Sequence, residues 1–218
     1  MKEKEQQIKN KQRVADFGEV FTAEREVQAM LDLVKDEAER IDSRFLEPAC
    51  GDGNFLIAIL KRKLNTVVRR YKGKQEDFEI NVLITLGSIY AIDLLEDNII
   101  LARERLLNIA IEIYQKTLHK LPDPEFQKIM QFILAKNIIC GDSLNGIDKI
   151  VFTEWTALGY KIKREEFSFA QMNYESDIAS LPLFSVEYND KKEPVFFPNP
   201  IKSYPLKYYS KLLEDKNE

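Results

Sequence analysis

Cysteine, histidine and tryptophan are scarce in this chain of 218 residues, which has two, one and one of them respectively. Cys50 and Cys140 each stand directly before a Gly-Asp pair, with no CxxC spacing anywhere. That excludes a disulfide-framed secreted domain and a cysteine-built zinc site, and both read as reduced thiols of a cytoplasmic protein. His119 has no second histidine to share a metal with, and beside Lys120 it reads as a solvated side chain at a helix end, so no metal is expected. Glycine and proline number only eight each, too few for a fibrous or linker-rich chain. No apolar run approaches the roughly 18 residues of a membrane span, and no secretory leader is expected. The expectation is a soluble protein with no membrane partner. Positive charge is not in excess either: 32 Lys and Arg face 36 Asp and Glu, for a net charge of -4. The chain therefore lacks the general field that draws proteins to nucleic acid, and a DNA contact has to be local or made through another subunit.

What is present suits a globular α/β protein, with 44% hydrophobic residues, enough for one sizeable core. Residues 1–12 (MKEKEQQIKNKQ) are nearly all charged or amide-bearing and read as a flexible segment. An amphipathic helix is expected after an N-cap at Thr22, with Val27, Met30, Leu31 and Val34 on one face. Phe45 and Leu46 form a short strand entering Gly-Asp-Gly, and Asn54 opens a helix with a Leu56, Leu60, Leu64, Val67 stripe that ends near Gly73. Residues 78–83 (FEINVL) are too short and β-branched for periodicity to choose between helix and strand. GSIYAID at 87–93 reads as a buried strand ending in Asp93. Asp97 then caps a long helix carrying Ile99, Ala102, Leu106, Ala110 and Ile113. After Pro122 and Pro124, a helix with Phe126, Ile129 and Ile133 leads into NIICGDSL, a third strand ending near Asp142. Three strand-then-loop units alternating with helices argue for a parallel sheet with right-handed crossovers over residues 13–146. Residues 147–218 are aromatic, charged and dotted with proline, and are expected to form a hairpin-rich extension. Its expected strands lie at 167–169 and 183–188, with a terminal helix from about Pro205.

In open α/β sheets ligands bind outside the carboxyl ends of the strands, so residues 47–54, Asp93 and Asp142 converge on one edge. Gly51 and Gly53 allow the backbone to bend and approach a ligand, and the following helix start offers free N–H groups to an anion. Asp93 is placed to accept the hydroxyls of a ribose, and Asp142 an exocyclic amine such as that of adenine. Each feature alone has an ordinary alternative: a tight turn, a strand-end cap, an Asx turn at Asp142-Ser143. Together they describe an adenosyl ligand with a zwitterionic tail. A nicotinamide fingerprint is not met, because Leu56 occupies the place of the third glycine.

The strings FGEVFTAEREVQAMLDLV, FLEPACGDGNFL, IYAID and NIICGDSL resemble the amino-terminal half of an S-adenosylmethionine-dependent DNA adenine-N6 methyltransferase of bacterial restriction-modification systems. The resemblance spans about residues 13–145. It implies a Rossmann-like class I methyltransferase fold, incomplete in this chain. It implies that Phe21 and Thr22 pack beside the methionine end of S-adenosylmethionine, and that Glu47, Ala49, Gly51, Gly53 and Phe55 hold the methionine moiety. Asp93 would take the ribose hydroxyls, and Asp142 with Leu144 the adenine. The family usually has Thr-Pro where this chain has Thr22-Ala23.

The family's amine-methylating loop, Asn/Asp/Ser-Pro-Pro-Tyr/Phe, clamps the target amine and stacks on the extruded base. No such string occurs here. FFPNPIKSY has Pro198-Asn199-Pro200-Ile201, with isoleucine in place of the stacking ring, and reads as an extended turn. MNYE at 172–175 has no proline. The catalytic residues are therefore unassigned, and the chain is expected to stop before the strand that carries them. The implied arrangement is a split enzyme whose second methyltransferase or restriction subunit supplies the missing strands and the DNA contact. The alternative is a non-catalytic, truncated binding module. Trp155 with Tyr160 and KIKRE reads as aromatic packing in a hairpin ahead of a stacking and phosphate-binding surface, and Tyr208 and Tyr209 are candidates for docking on a partner.

Overall fold

A computed structural model describes residues 22–170 and 199–214, together with the backbone of two short paired strands, Glu187–Tyr188 and Pro194–Val195. Phe21, and most of the expected strand at 183–188, lie outside the described residues.

Three short strands, β1 (Phe45–Glu47), β2 (Ile89–Asp93) and β3 (Ile138–Cys140), form a parallel sheet in the order β1-β2-β3. Phe45 stands opposite Ile89 and Asp93 opposite Cys140. Parallel pairing puts the carboxyl ends of all three strands on one edge.

The first helix, α1 (Glu24–Leu33), buries Val27 and Leu31. The expected face is narrower than its pattern, because Met30 and Val34 are half-exposed. The N-cap is Ala23, with no side-chain cap, so Thr22 does not cap the helix. The helix breaks at Val34, whose φ of -121° departs from helical geometry. A five-residue helix, α2 (Lys35–Glu39), leads to β1.

The crossover from β1 to β2 carries α3 (Asn54–Tyr71) and α4 (Gln75–Gly87). The ambiguous 78–83 stretch lies inside α4. This helix buries every residue from Phe78 to Gly87 except Asn81, and a helix apolar on all sides has no periodic signature to read. The second crossover carries α5 (Glu96–Leu118) and α6 (Pro124–Asn137). Helix α5 starts at Glu96 after N-cap Leu95, so Asp97 lies in its first turn instead of capping it. The capping oxygen comes from the strand tip: Asp93 Oδ1 accepts from the Leu95 N–H at 2.9 Å. Helix α6 has the signature of a good start, with Pro124 at its first turn and Asp123 accepting from the Glu125 N–H at 2.8 Å. His119, at the exposed end of α5, takes φ 55° in place of the usual glycine.

Beyond β3 an antiparallel hairpin forms from β4 (Val151–Leu158) and β5 (Lys161–Ser168), longer than the short pieces expected there. One face of it carries Trp155 and Ile162 into the main core of the helices. At its base Phe152 packs with Tyr90, Ile92, Ile150 and Phe169 over the second face of the parallel sheet. Asn137, fully buried, ties the layers together: its Nδ2 donates to the Gly87 carbonyl at 2.9 Å and its Oδ1 accepts from the Thr153 N–H at 3.0 Å.

Strands β6 (Glu187–Tyr188) and β7 (Pro194–Val195) pair with each other. Two more short strands, β8 (Lys202–Ser203) and β9 (Lys207–Tyr208), pair with β5. Among the described residues no α-helix follows Pro205; β9 runs into a single 3-10 turn, Tyr209–Lys211. Helix formation there loses to two long-range attachments. One is the ladder to β5, and the other is the Tyr209 hydroxyl, which donates to Glu79 Oε2 at 2.6 Å inside the core. Tyr209 is thus buried and not a docking residue, whereas Tyr208 is half-exposed. Trp155 is buried in the hairpin, as its packing alternative required. Among the described residues no helix is long and apolar enough to cross a membrane.

Candidate functional site

A cavity of about 340 Å³ opens at the carboxyl ends of the parallel strands, within the size range of small-molecule sites, about 300–1,000 Å³. Thr22, Glu47, Ala49, Gly51, Phe55, Asp93, Asp142 and Leu144 all line it. Gly53 does not. Its φ of 90° turns the chain into α3, and a Cβ there would lie 3.1 Å from Ala102 Cβ, so the glycine serves close packing on α5.

The loop after β1 is bent by Gly51 at φ 52° and anchored on β2, where the Cys50 N–H donates to the Ile92 carbonyl at 3.0 Å. Asp93 Oδ2 then accepts from the Gly51 N–H at 2.8 Å, while its Oδ1 accepts from Leu95 N–H and from Asn98 Nδ2 at 3.2 Å. A carboxylate offers about four acceptor positions. The chain's own donors take three of Asp93's, which leaves one, on Oδ2, against the expectation of two ribose hydroxyls. Asp93 is first a builder of the site.

Helix α3 begins with no side-chain cap. Its N-cap residue is Gly53, which has no side chain to supply one, and the Asn54 Oδ1 is engaged by Arg105 Nη2 at 2.9 Å. The amides of the first turn, at the cavity wall formed by Asn54 and Phe55, are therefore left for an anion, where the helix dipole favours negative charge.

The electrostatics differ between the acids. Burial raises the pKa of Glu47, with a weak opposing bond from the Ala49 N–H at 3.3 Å. Asp142 is lowered by the N–H groups of Asn145 and Leu144, which bond its Oδ1 at 2.9 and 2.8 Å in an Asx turn. Burial, then the charges of Asp93 and Glu47, push the Cys50 thiol up to about 12, which removes it as a nucleophile at neutral pH. Met30, Leu94 and Leu144 form an exposed apolar rim.

Sequence reasoning missed Asn98 and Arg105. Both sit on α5, more than forty residues beyond the loop they support. The only available signal was their spacing on a helix already assigned to the core. Among the described residues no cluster of His, Cys, Asp and Glu has metal-binding geometry. Asn199-Pro200-Ile201 leads into β8 on the hairpin sheet, where the Ile201 N–H donates to the Glu166 carbonyl, and none of these residues lines the cavity. A larger cavity of about 470 Å³ lies at the opposite ends of β1 and β2, near Arg44, Ser88 and Trp155. It carries none of the strand-tip acids, and its Arg40 and Arg44 are paired with Asp42 and Glu154.

No family model matches the chain, and no solved structure matches it. Among curated proteins the chain is similar, at 31% identity over 119 residues, to a Methanocaldococcus jannaschii protein named as a type II restriction enzyme and methyltransferase. The aligned stretch is 51% of this chain and 9% of that relative, so the chain corresponds to a small part of it.

Proposed function

We propose that the chain is the S-adenosylmethionine-binding portion of a restriction-modification DNA methyltransferase acting on adenine N6, with a Rossmann-like class I methyltransferase core. The observation that carries this reading is the convergence of the Glu47–Asn54 loop, Asp93 and Asp142 around one cavity at the tips of three neighbouring parallel strands. The similarity to a restriction enzyme and methyltransferase supports it.

The residues present suit the ligand at each end. The uncapped first turn of α3 faces a carboxylate. Glu47, partly desolvated, gains most from a cationic partner such as the methionine ammonium. The open position on Asp93 Oδ2 receives one ribose hydroxyl. Asp142 accepts from an exocyclic amine while Leu94 and Leu144 cover a flat ring. When bound, the cofactor supplies an electrophilic methyl group on a sulfonium. The chain's own residues bind and orient it, and proximity is their contribution to rate.

Among the described residues none at the cavity forms a polar-proline-proline-aromatic clamp for the target amine, and that clamp and the DNA contact are assigned to another region or subunit. Among the described residues β1 pairs only with β2, and Leu46 is 45% exposed. That edge is where further strands would join. The second reading, a non-catalytic binding module, shares the cofactor site and differs in never supporting transfer.

Calorimetric titration with S-adenosylmethionine, paired with methyl transfer to genomic DNA, tests the proposal. Binding without transfer by this chain alone is expected. An absence of binding would overturn it, and transfer that appears on adding a second subunit rules out the module.

A further inference from the structure

Helix α5 presents three residues at successive turns to the glycine loop. Asn98, only 1% exposed, bonds Asp93, the acceptor of the Gly51 N–H. Four residues on, the fully buried Ala102 lies beneath Gly53, where an added Cβ would be crowded at 3.1 Å from the Ala102 Cβ. Arg105 follows. Its Nη1 donates to the Asp52 carbonyl at 2.7 Å and pairs with Asp52 Oδ2 at 2.9 Å, while Nη2 donates to Asn54 Oδ1 at 2.9 Å. The guanidinium therefore grips the residues on both sides of Gly53. A loop with glycines at φ 52° and 90° has many alternatives open to it, and a planar fork of donors removes them.

We infer that Arg105 is a positioning residue: by bridging Asp52 and Asn54 it holds 51–54 in the conformation that exposes the first-turn amides of α3. The ligand arm of its test rests on the function proposed above; the backbone arm does not.

The test compares wild type with Arg105→Ala, Arg105→Lys and Tyr209→Phe. The last loses a core hydrogen bond to Glu79 far from the loop and controls for lowered stability. Amide hydrogen exchange of the unliganded proteins is read at Gly51 and Gly53, whose N–H groups bond Asp93 Oδ2 and the Cys50 carbonyl. Arg105→Ala is expected to speed exchange there by about tenfold or more, Arg105→Lys by less, and Tyr209→Phe only in step with its melting temperature. S-adenosylmethionine affinity should fall about tenfold in Arg105→Ala, partly recover in Arg105→Lys, and hold in Tyr209→Phe. Unchanged exchange at Gly51 and Gly53, or unchanged affinity against a wild type that binds, overturns the inference. A wild type that does not bind the cofactor sinks the proposed function, and exchange alone then decides the role of Arg105.

Discussion

Replacing Asp93 by alanine removes an acceptor that three of the chain's own donors face. The Gly51 and Leu95 N–H groups stand at 2.8 and 2.9 Å from it and the Asn98 amide at 3.2 Å. All three lie in part-buried surroundings, where a lost bond to a charged group costs about 1 kcal/mol or more, so about 3 kcal/mol of stability should go. For a chain of this length that is a fall in melting temperature of about 9 °C, at about 3 °C per kcal/mol. Affinity for S-adenosylmethionine should drop as well, because the variant lacks both the ribose acceptor and the anchor of Gly51. One to three kcal/mol, or about 5- to 150-fold, is the expected range. Asp93→Asn separates the two roles. It can keep an oxygen toward Leu95 and Asn98 while setting an amide N–H2 against the Gly51 N–H, so it should melt closer to wild type yet bind as poorly as the alanine variant. Scanning calorimetry and titration calorimetry on the same preparations read both quantities. A melting temperature within about 2 °C of wild type in Asp93→Ala would show that the three bonds do not hold the loop, and an unchanged affinity would show that the ribose is elsewhere.

Binding of the cofactor should weaken as pH falls through the raised pKa of Glu47, because a proton then competes with the ammonium for the carboxylate. The fall should begin above the ordinary value of 4.5, and Glu47→Gln should flatten the titration profile. Lys63 is fully buried on α3, donates to the Ile41 and Ser43 carbonyls and to Ser88 Oγ, and is pushed by desolvation from 10.5 down to about 7. The folded chain then releases a proton that the unfolded chain still holds, so stability should rise with pH between 7 and 10.5, by up to about 1.4 kcal/mol per pH unit. Lys63→Met should remove that slope from chemical denaturation curves, and an identical slope in the variant would assign it to other groups. Gly87→Ala would place a Cβ 2.7 Å from Trp155 Cδ1; it should cost about 1–3 kcal/mol by overpacking, measured by thermal melting against wild type.

Much of the site was legible because its grammar is local. An apolar run that ends in an acid or a glycine turn is written in consecutive residues, and it recurred at Glu47, Asp93 and Cys140; the first two lead into α-helices, the third into a 3-10 turn and the hairpin. Parallel pairing then obliges those tips to share an edge. Residues 78–83 stayed ambiguous for the opposite reason: helix α4 is enclosed on every side, so the contrast between apolar and polar faces that periodicity depends on is absent. The expected caps at Thr22 and Asp97 failed because a capping oxygen can come from any nearby element, and for α5 it came from the end of β2.

By itself the amino-acid sequence determined the alternation of strands and helices and the placement of glycines where the backbone turns left-handed. It also put an acid at the tip of β2 and another two residues past β3, all properties of short stretches of chain. Tertiary structure alone decided that Gly53 rests on Ala102, that Arg105 and Asn98 reach back to brace the loop, and that the β4–β5 hairpin closes the second face of the sheet. It also decided that Tyr209 is drawn into the core by Glu79. These contacts join residues far apart in the chain. Their free energy comes from packing and burial that exist only once the core has formed, so no local pattern encodes them.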